Sequence, residues 1–178
     1  MPIQFPQEAG LRDARRVIIR PFAPTDADNL HAFFRSLPES TKRSAWDRIE
    51  AREVVDSWVE DLDYEKAVSL LALDGTNIVA DATLHYRRYG PLRRVGRLKW
   101  LMDPAWYGVG VGVALITNFI QMARDNGLRH LTCILMDKFE DESRETLNRM
   151  GFKEYRLPMY GTNPDGDACD MIKMVLEL

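Results

Sequence analysis

Leu101-Met102-Asp103-Pro104-Ala105-Trp106-Tyr107-Gly108-Val109-Gly110-Val111-Gly112-Val113-Ala114-Leu115-Ile116 is the stretch whose reading decides the fold. It joins two patterns of different period. Before it, Val95–Met102 is an apolar, β-prone run closed by Pro104. After it, Val113, Ile116, Phe119, Ile120 and Ala123 recur at helical spacing, predicting a helix from Gly110 to Asn126 with Gly127 just past its end. Three alternating glycines at the start of that helix let main-chain amides converge with no Cβ in the way. The helix N-terminus adds about half a positive charge, so the natural guest is a phosphate or pyrophosphate. The plainer alternative is a glycine-rich cap that packs closely on its neighbour. A dinucleotide fingerprint needs a glycine where Val113 stands, and no Gly-Lys-Ser/Thr phosphate loop or kinase signature is present.

Working outward, Arg15–Arg20 predicts a first strand, and the residues before it, 1–14, read as a flexible leader. Thr25 is the expected N-cap of a helix carrying Leu30, Phe33, Phe34 and Leu37 on one face and stopped by Pro38. A second amphipathic helix is expected from Ala51 to Leu62, burying Val54, Val55, Trp58 and Val59. Ala67–Leu73 and Ile78–Tyr86 flank the turn residues Asp74-Gly75-Thr76-Asn77 and predict a hairpin. A basic loop, Arg87–Arg94, leads into the strand Val95–Met102. Beyond the central helix come a strand at His130–Met136, a polar helix at Asp141–Met150 stopped by Gly151, and two closing strands near 152–157 and 170–176. The order β-α-α-β-β-β-α-β-α-β-β, without internal repeats, predicts one α+β (α/β) domain over residues 15–178. Its centre is a mixed, mostly antiparallel sheet of about seven strands with helices on both faces.

Composition narrows the function. The 178 residues suit one domain with a sizeable core. A net charge of -3 argues against a dedicated nucleic-acid binder, whose affinity rests on a basic surface, but not against a small anionic ligand held by amides. No run approaches the roughly 20 apolar residues of a membrane helix, and the N-terminus lacks a signal-peptide core, so a cytoplasmic protein without membrane partners is expected. Cys133 and Cys169 lie in apolar runs and read as buried, reduced thiols. No metal site is expected.

The stretch around the glycines, with Pro104, Gly110, Gly112 and the helix that follows, resembles the coenzyme A motif of the GNAT superfamily of N-acyltransferases. The ending Leu147-Asn148-Arg149-Met150-Gly151-Phe152 and the opening Val17-Ile18-Ile19-Arg20-Pro21-Phe22 with Thr25-Asp26-Ala27 are similar to that family too, so the likeness runs from Arg16 to Leu176. It implies an acyltransferase that moves an acetyl or short acyl group from acetyl-CoA, or another acyl-CoA, to a primary amine on a small molecule or protein. The protein would act as a monomer or homodimer. Tyr107, Gly108, Val109, Gly110, Val111, Gly112 and Val113 would hold the pyrophosphate, and main-chain groups of Trp100, Leu101 and Met102 the pantetheine arm. A narrower likeness, carried by Phe33–Thr41 and Asp103–Tyr107, is to bacterial protein-lysine acetyltransferases.

The departures from the family pattern fall on the chemistry. Tyr107 stands in place of the motif's Arg or Gln, Arg97 and Leu135 in place of glutamates, Glu140 in place of an asparagine, and Leu147 in place of a tyrosine acid. The remaining candidates for proton transfer are Glu140, Asp137 and His85, with Asp81 behind them. Each also fits an ordinary role: Glu140 and Asp137 as acids at a helix start, His85 as a surface strand residue, Asp81 at a strand edge. The same departures leave open a second reading, a catalytically silent acyl-CoA sensor or interaction domain on this fold.

Overall fold

The structure, a computed structural model, describes residues 4–43, 45, 48–60 and 66–178. In chain order its elements are β1 (Gln7–Gly10), β2 (Arg16–Pro21), α1 (Ala27–Ser36), α2 (Glu39–Arg43), α3 (Arg52–Glu60), β3 (Ala67–Asp74), β4 (Asn77–His85), β5 (Val95–Met102), α4 (Val111–Asp125), β6 (His130–Met136), α5 (Asp141–Arg149), β7 (Lys153–Thr162) and β8 (Ala168–Glu177). Eight strands form one sheet in the order β1-β2-β3-β4-β5-β6-β8-β7. Every neighbouring pair is antiparallel except β5 and β6. The mixed, mostly antiparallel sheet expected from the sequence is present.

Alternation along the strands builds two cores, one on each face. Leu70, Ala82, Leu84 and Leu98 meet Leu115, Ile116 and Phe119 of α4 and Leu147 of α5 on one side. On the other, Leu71, Leu73 and Ile78 meet Leu30, Phe33 and Phe34 of α1 and Val55 of α3. Phe34 also meets Trp58 edge-on, with ring centroids 5.6 Å apart. Each fully buried Leu or Phe contributes about 1.5–3 kcal/mol relative to exposure.

The differences from the sequence reading have physical causes. Residues 7–10 were expected within a flexible leader; instead they form β1, paired from Gln7↔Ile19 to Gly10↔Arg16, which extends the sheet by one strand. Their composition gives little strand signal, and the pairing rests on main-chain bonds to β2. Thr25 is not the cap of α1. A 3₁₀ turn at Pro24–Asp26 precedes the helix, and Asp26 does the anchoring. The short helix α2 was not foreseen, β7 and β8 are longer than expected, and Cys169 is only half-buried. Of the expected helix 51–62, Asp61 and Leu62 lie outside the described residues. Among the described residues, no helix is long and apolar enough to cross a membrane.

Asp26 joins β2 to α1. Its carboxylate accepts from Arg20 Nη1 at 2.6 Å and Nη2 at 2.7 Å, and from the Ala23 amide at 2.9 Å. The Arg20 guanidinium holds this buried carboxyl below its ordinary value. The ion pair therefore stabilises the fold fully above about pH 4, where the unfolded chain's aspartate is ionised, and is lost as pH falls through the lower folded-state value. Replacing Asp26 with Asn is expected to cost about 2 kcal/mol at pH 7. In urea melts that gap should narrow below pH 4; a gap unchanged with pH would show that charge plays no part.

Candidate functional site

β5 and β6 pair over three residues only: Val95↔His130, Gly96↔Leu131 and Arg97↔Thr132. Past that point each strand keeps its other neighbour. β5 runs on beside β4 to the pair Ala80↔Met102, and β6 beside β8 to Met136↔Met171. The two therefore diverge, and the edge of β5 from Leu98 to Met102 faces an opening inside the sheet. Gly96 is the middle residue of the paired stretch. A Cβ there would lie 2.7 Å from Leu84 Cδ1 and 2.8 Å from Leu131 Cδ2, so a side chain would force both leucines to shift. An unpaired strand edge offers donors and acceptors in a row, which an extended ligand can bond as an added strand would.

At the C-terminal end of β5 the chain turns sharply. Asp103 Oδ1 accepts from the Ala105 amide at 2.9 Å and starts a 3₁₀ turn that buries Trp106. Gly110, with φ 111°, is the left-handed residue that begins α4. The bond from Ala114 N–H to the Gly110 carbonyl is 3.0 Å, so the amides of Val111, Gly112 and Val113 come before the first turn closes. Gly112 sits in that turn, where glycine costs about 1 kcal/mol relative to alanine. A Cβ on it would meet nothing closer than Met102 Cε at 3.6 Å, an ordinary contact. Protein packing thus does not require the glycine; its bare side faces the opening.

The N-terminal hairpin clamps this loop. The Arg12 amide donates to the Val109 carbonyl at 3.0 Å, Arg15 Nη2 to the Ala105 carbonyl at 3.1 Å, and the Arg15 guanidinium stacks 3.8 Å above the Trp106 ring.

The opening between the strands and the N-terminus of α4 form one cavity of about 680 Å³. Of the residues expected to hold a cofactor, Trp100, Leu101, Met102, Tyr107, Gly108, Gly110, Gly112 and Val113 line it. Val111 turns into the core and Val109 packs against it. Ser40 and Thr41 of α2 and Pro164 of the β7–β8 turn border the same space.

The candidates for proton transfer separate cleanly. Glu140 lines the cavity just before α5, and its Oε2 accepts from the Met136 amide at 2.7 Å. Burial raises its carboxyl above the ordinary range, although the Met136 amide opposes the shift. Burial also pushes the Cys133 thiol up, with the Glu140 charge adding to it, so this cysteine is inert. Asp137 is not among the lining residues; it pairs with Arg144 at 3.2 Å. His85 lies opposite Ala67 and Arg97, again away from the cavity lining. Asp81 is buried between Leu71 and Leu101 in the register, not at the edge position expected for it. Burial pushes its carboxyl up to about 6, against a 2.5 Å bond from the Ser69 hydroxyl. Sequence reasoning missed Arg12, Ser143 and Thr146, which also line the cavity. For the last two, the i, i+3 spacing on one face of a polar helix was the available signal. Among the described residues, no cluster of His, Cys, Asp and Glu is arranged to hold a metal ion.

These features are those of an acetyltransferase fold, and the chain belongs to the GNAT acetyltransferase domain family, whose model matches residues 16–153. No curated protein sequence matches the chain. Among solved structures, the GNAT domain of S. lividans PAT superposes with a TM-score of 0.79 at 18% identity, covering 97% of this chain and 96% of that one. The ribosomal-protein-alanine N-acetyltransferase from Brucella melitensis gives 0.76 at 21%, covering 90% and 99%. yncA from Salmonella typhimurium, solved with acetyl-CoA, gives 0.76 at 18%, covering 91% and 94%.

If the bare side of Gly112 serves a ligand, Gly112→Val should fold with a melting temperature within a few degrees of the parent, yet bind acetyl-CoA at least tenfold more weakly by calorimetry. Unchanged affinity would return Gly112 to a packing role.

Proposed function

We propose that the protein transfers an acetyl or short acyl group from acyl-CoA to a primary amine by direct attack. One observation carries this: the unpaired edge of β5 and the amide-rich start of α4 open into the same cavity. The edge of Trp100–Met102 suits an extended amide-bearing arm, and the first amides of α4 suit a pyrophosphate. Acyl-CoA carries both, in that order, with a thioester at the far end of the arm. Membership of the GNAT family supports the same choice.

The chemistry assigned to the chain is limited. The amine nitrogen bonds to the thioester carbonyl carbon, the carbon–sulfur bond breaks, and coenzyme A leaves as its thiolate. A β5 amide donates to the developing oxyanion, which lowers the barrier by a few kcal/mol. Glu140, the one of the four candidates for proton transfer that lines the cavity, accepts the proton lost by the amine. Its raised pKa suits this role, since a base nearer neutral pH holds the proton it takes. The acceptor amine enters between α2 and the β7–β8 turn, where Ser40, Thr41 and Pro164 border the cavity. We place the protein in the cytoplasm, as a monomer or homodimer; its two cysteines, both unpaired, fit a reducing compartment.

A silent acyl-CoA sensor is the second reading, favoured by the buried apolar residues Leu135 and Leu147. Calorimetry with acetyl-CoA and free CoA tests the shared premise: micromolar binding is expected, and its absence ends both readings. A thiol-release assay over amines and lysine peptides then separates them. Turnover is expected for the parent. Glu140→Gln should lower kcat by about 10²- to 10⁴-fold with the acetyl-CoA Kd held within twofold. The pH profile of kcat/KM should rise above the usual carboxylate range, and the variant should lose that limb. A variant with parental kcat would remove Glu140 from the mechanism.

A further inference from the structure

Between Lys99 and Arg124 the chain contains no lysine or arginine, so the loop from Tyr107 to Gly112 faces its anion with amides alone. A cation is nevertheless present at the rim of the cavity, from a distant part of the sequence. Arg12 lines it together with Gly108, Gly110 and Gly112. We infer that Arg12, delivered by the β1–β2 turn, binds the pyrophosphate of the acyl-CoA and supplies the charge that the strand-to-helix loop lacks.

The main chain of this residue is fixed to the loop it would serve. Its amide donates to Val109 at 3.0 Å, between the two left-handed glycines Gly108 and Gly110. The turn is closed by Leu11 N–H to the Arg15 carbonyl at 2.9 Å and Ala14 N–H to the Leu11 carbonyl at 3.2 Å. Leu11 packs on the core beside it, and a Cβ on Gly110 would meet Leu11 Cδ2 at 4.0 Å. Arg15 holds the other end of the turn against Ala105 and Trp106.

The neighbouring charges leave Arg12 available. Asp13, next in sequence, is bound by Arg15 at 2.6 Å. Glu142 approaches Gly108 from α5, with Oε1 3.3 Å from where a Cβ would stand. Among the described residues, Arg12 itself makes no side-chain hydrogen bond or ion pair. Two other cations line the cavity: Lys99, on β5, and Arg149, which donates to Thr146 Oγ1 at 3.3 Å from the far end of α5. An exposed, unpaired guanidinium tethered by its main chain to an amide cradle is arranged for bidentate phosphate binding. The family match begins at residue 16, so this contribution comes from outside the matched region.

The inference rests on the acyl-CoA reading, and the test keeps the two apart. Affinities of acetyl-CoA, dephospho-CoA and pantetheine would be measured by calorimetry for the parent, Arg12→Ala and Arg12→Lys, with thermal melts confirming the fold. Both substitutions preserve the Arg12 amide and hence the docking of the turn. Arg12→Ala should weaken acetyl-CoA and dephospho-CoA alike, by about 10- to 50-fold, and Arg12→Lys by less. Pantetheine, which has no pyrophosphate, should bind all three proteins equally. Acetyl-CoA affinity within twofold of the parent in Arg12→Ala overturns the inference while leaving the acyl-CoA reading intact. So does a penalty that disappears with dephospho-CoA, which assigns Arg12 to the 3′-phosphate, or one that persists with pantetheine, which makes the effect structural. A parent that binds none of the three overturns the acyl-CoA reading itself, and this inference with it.

Discussion

The parting of β5 from β6 after three paired residues is the constraint on which the rest of the architecture depends. A continuous ladder would consume the edge of β5 from Leu98 to Met102 and leave no room beside it. Gly96 lies in the middle of that short ladder, where Leu84 and Leu131 crowd the space a side chain would take. Beyond it β5 leans on β4 and β6 on β8, so the sheet keeps its outer pairing while opening at its centre. Buried main-chain groups left unpaired cost free energy, and an opening of this kind is tolerated where water or a ligand meets them.

The two faces of the sheet divide the labour that this opening creates. One core, with α4 and α5 against Leu84 and Leu98, fixes the loop, the cavity wall and Glu140. The other, with α1 and α3 against Leu71 and Leu73, buries Asp81 without giving it access to the cavity. Two acids of one chain thus sit in very different settings. Both are raised by burial, but only Glu140 borders open space.

Much of this was legible in the sequence because the signals were local. β5 and β6 have the bounds read from their apolar runs, and α4 lies one residue inside its expected bounds at each end. The glycine loop, read together with the strand before it and the helix after it, suggested an anion site, and its glycines line the cavity. What was not legible was long-range. Residues 7–10 have little intrinsic strand preference, and only pairing with β2 makes them a strand. Arg12 reads as one charge in a polar leader, since nothing nearby reveals that its amide lands on Val109, 97 positions along. Strand register decided the rest: His85 faces Arg97, not the cavity, and one residue's shift would have reversed that.

A recognition surface made of strand edge and helix amides depends on the path of the backbone more than on which side chains it carries. Substitutions can accumulate along such walls so long as that path holds. The S. lividans domain shares fewer than one residue in five with this chain and yet follows nearly its whole course. For a protein of this build, the same fold can be written in very different letters.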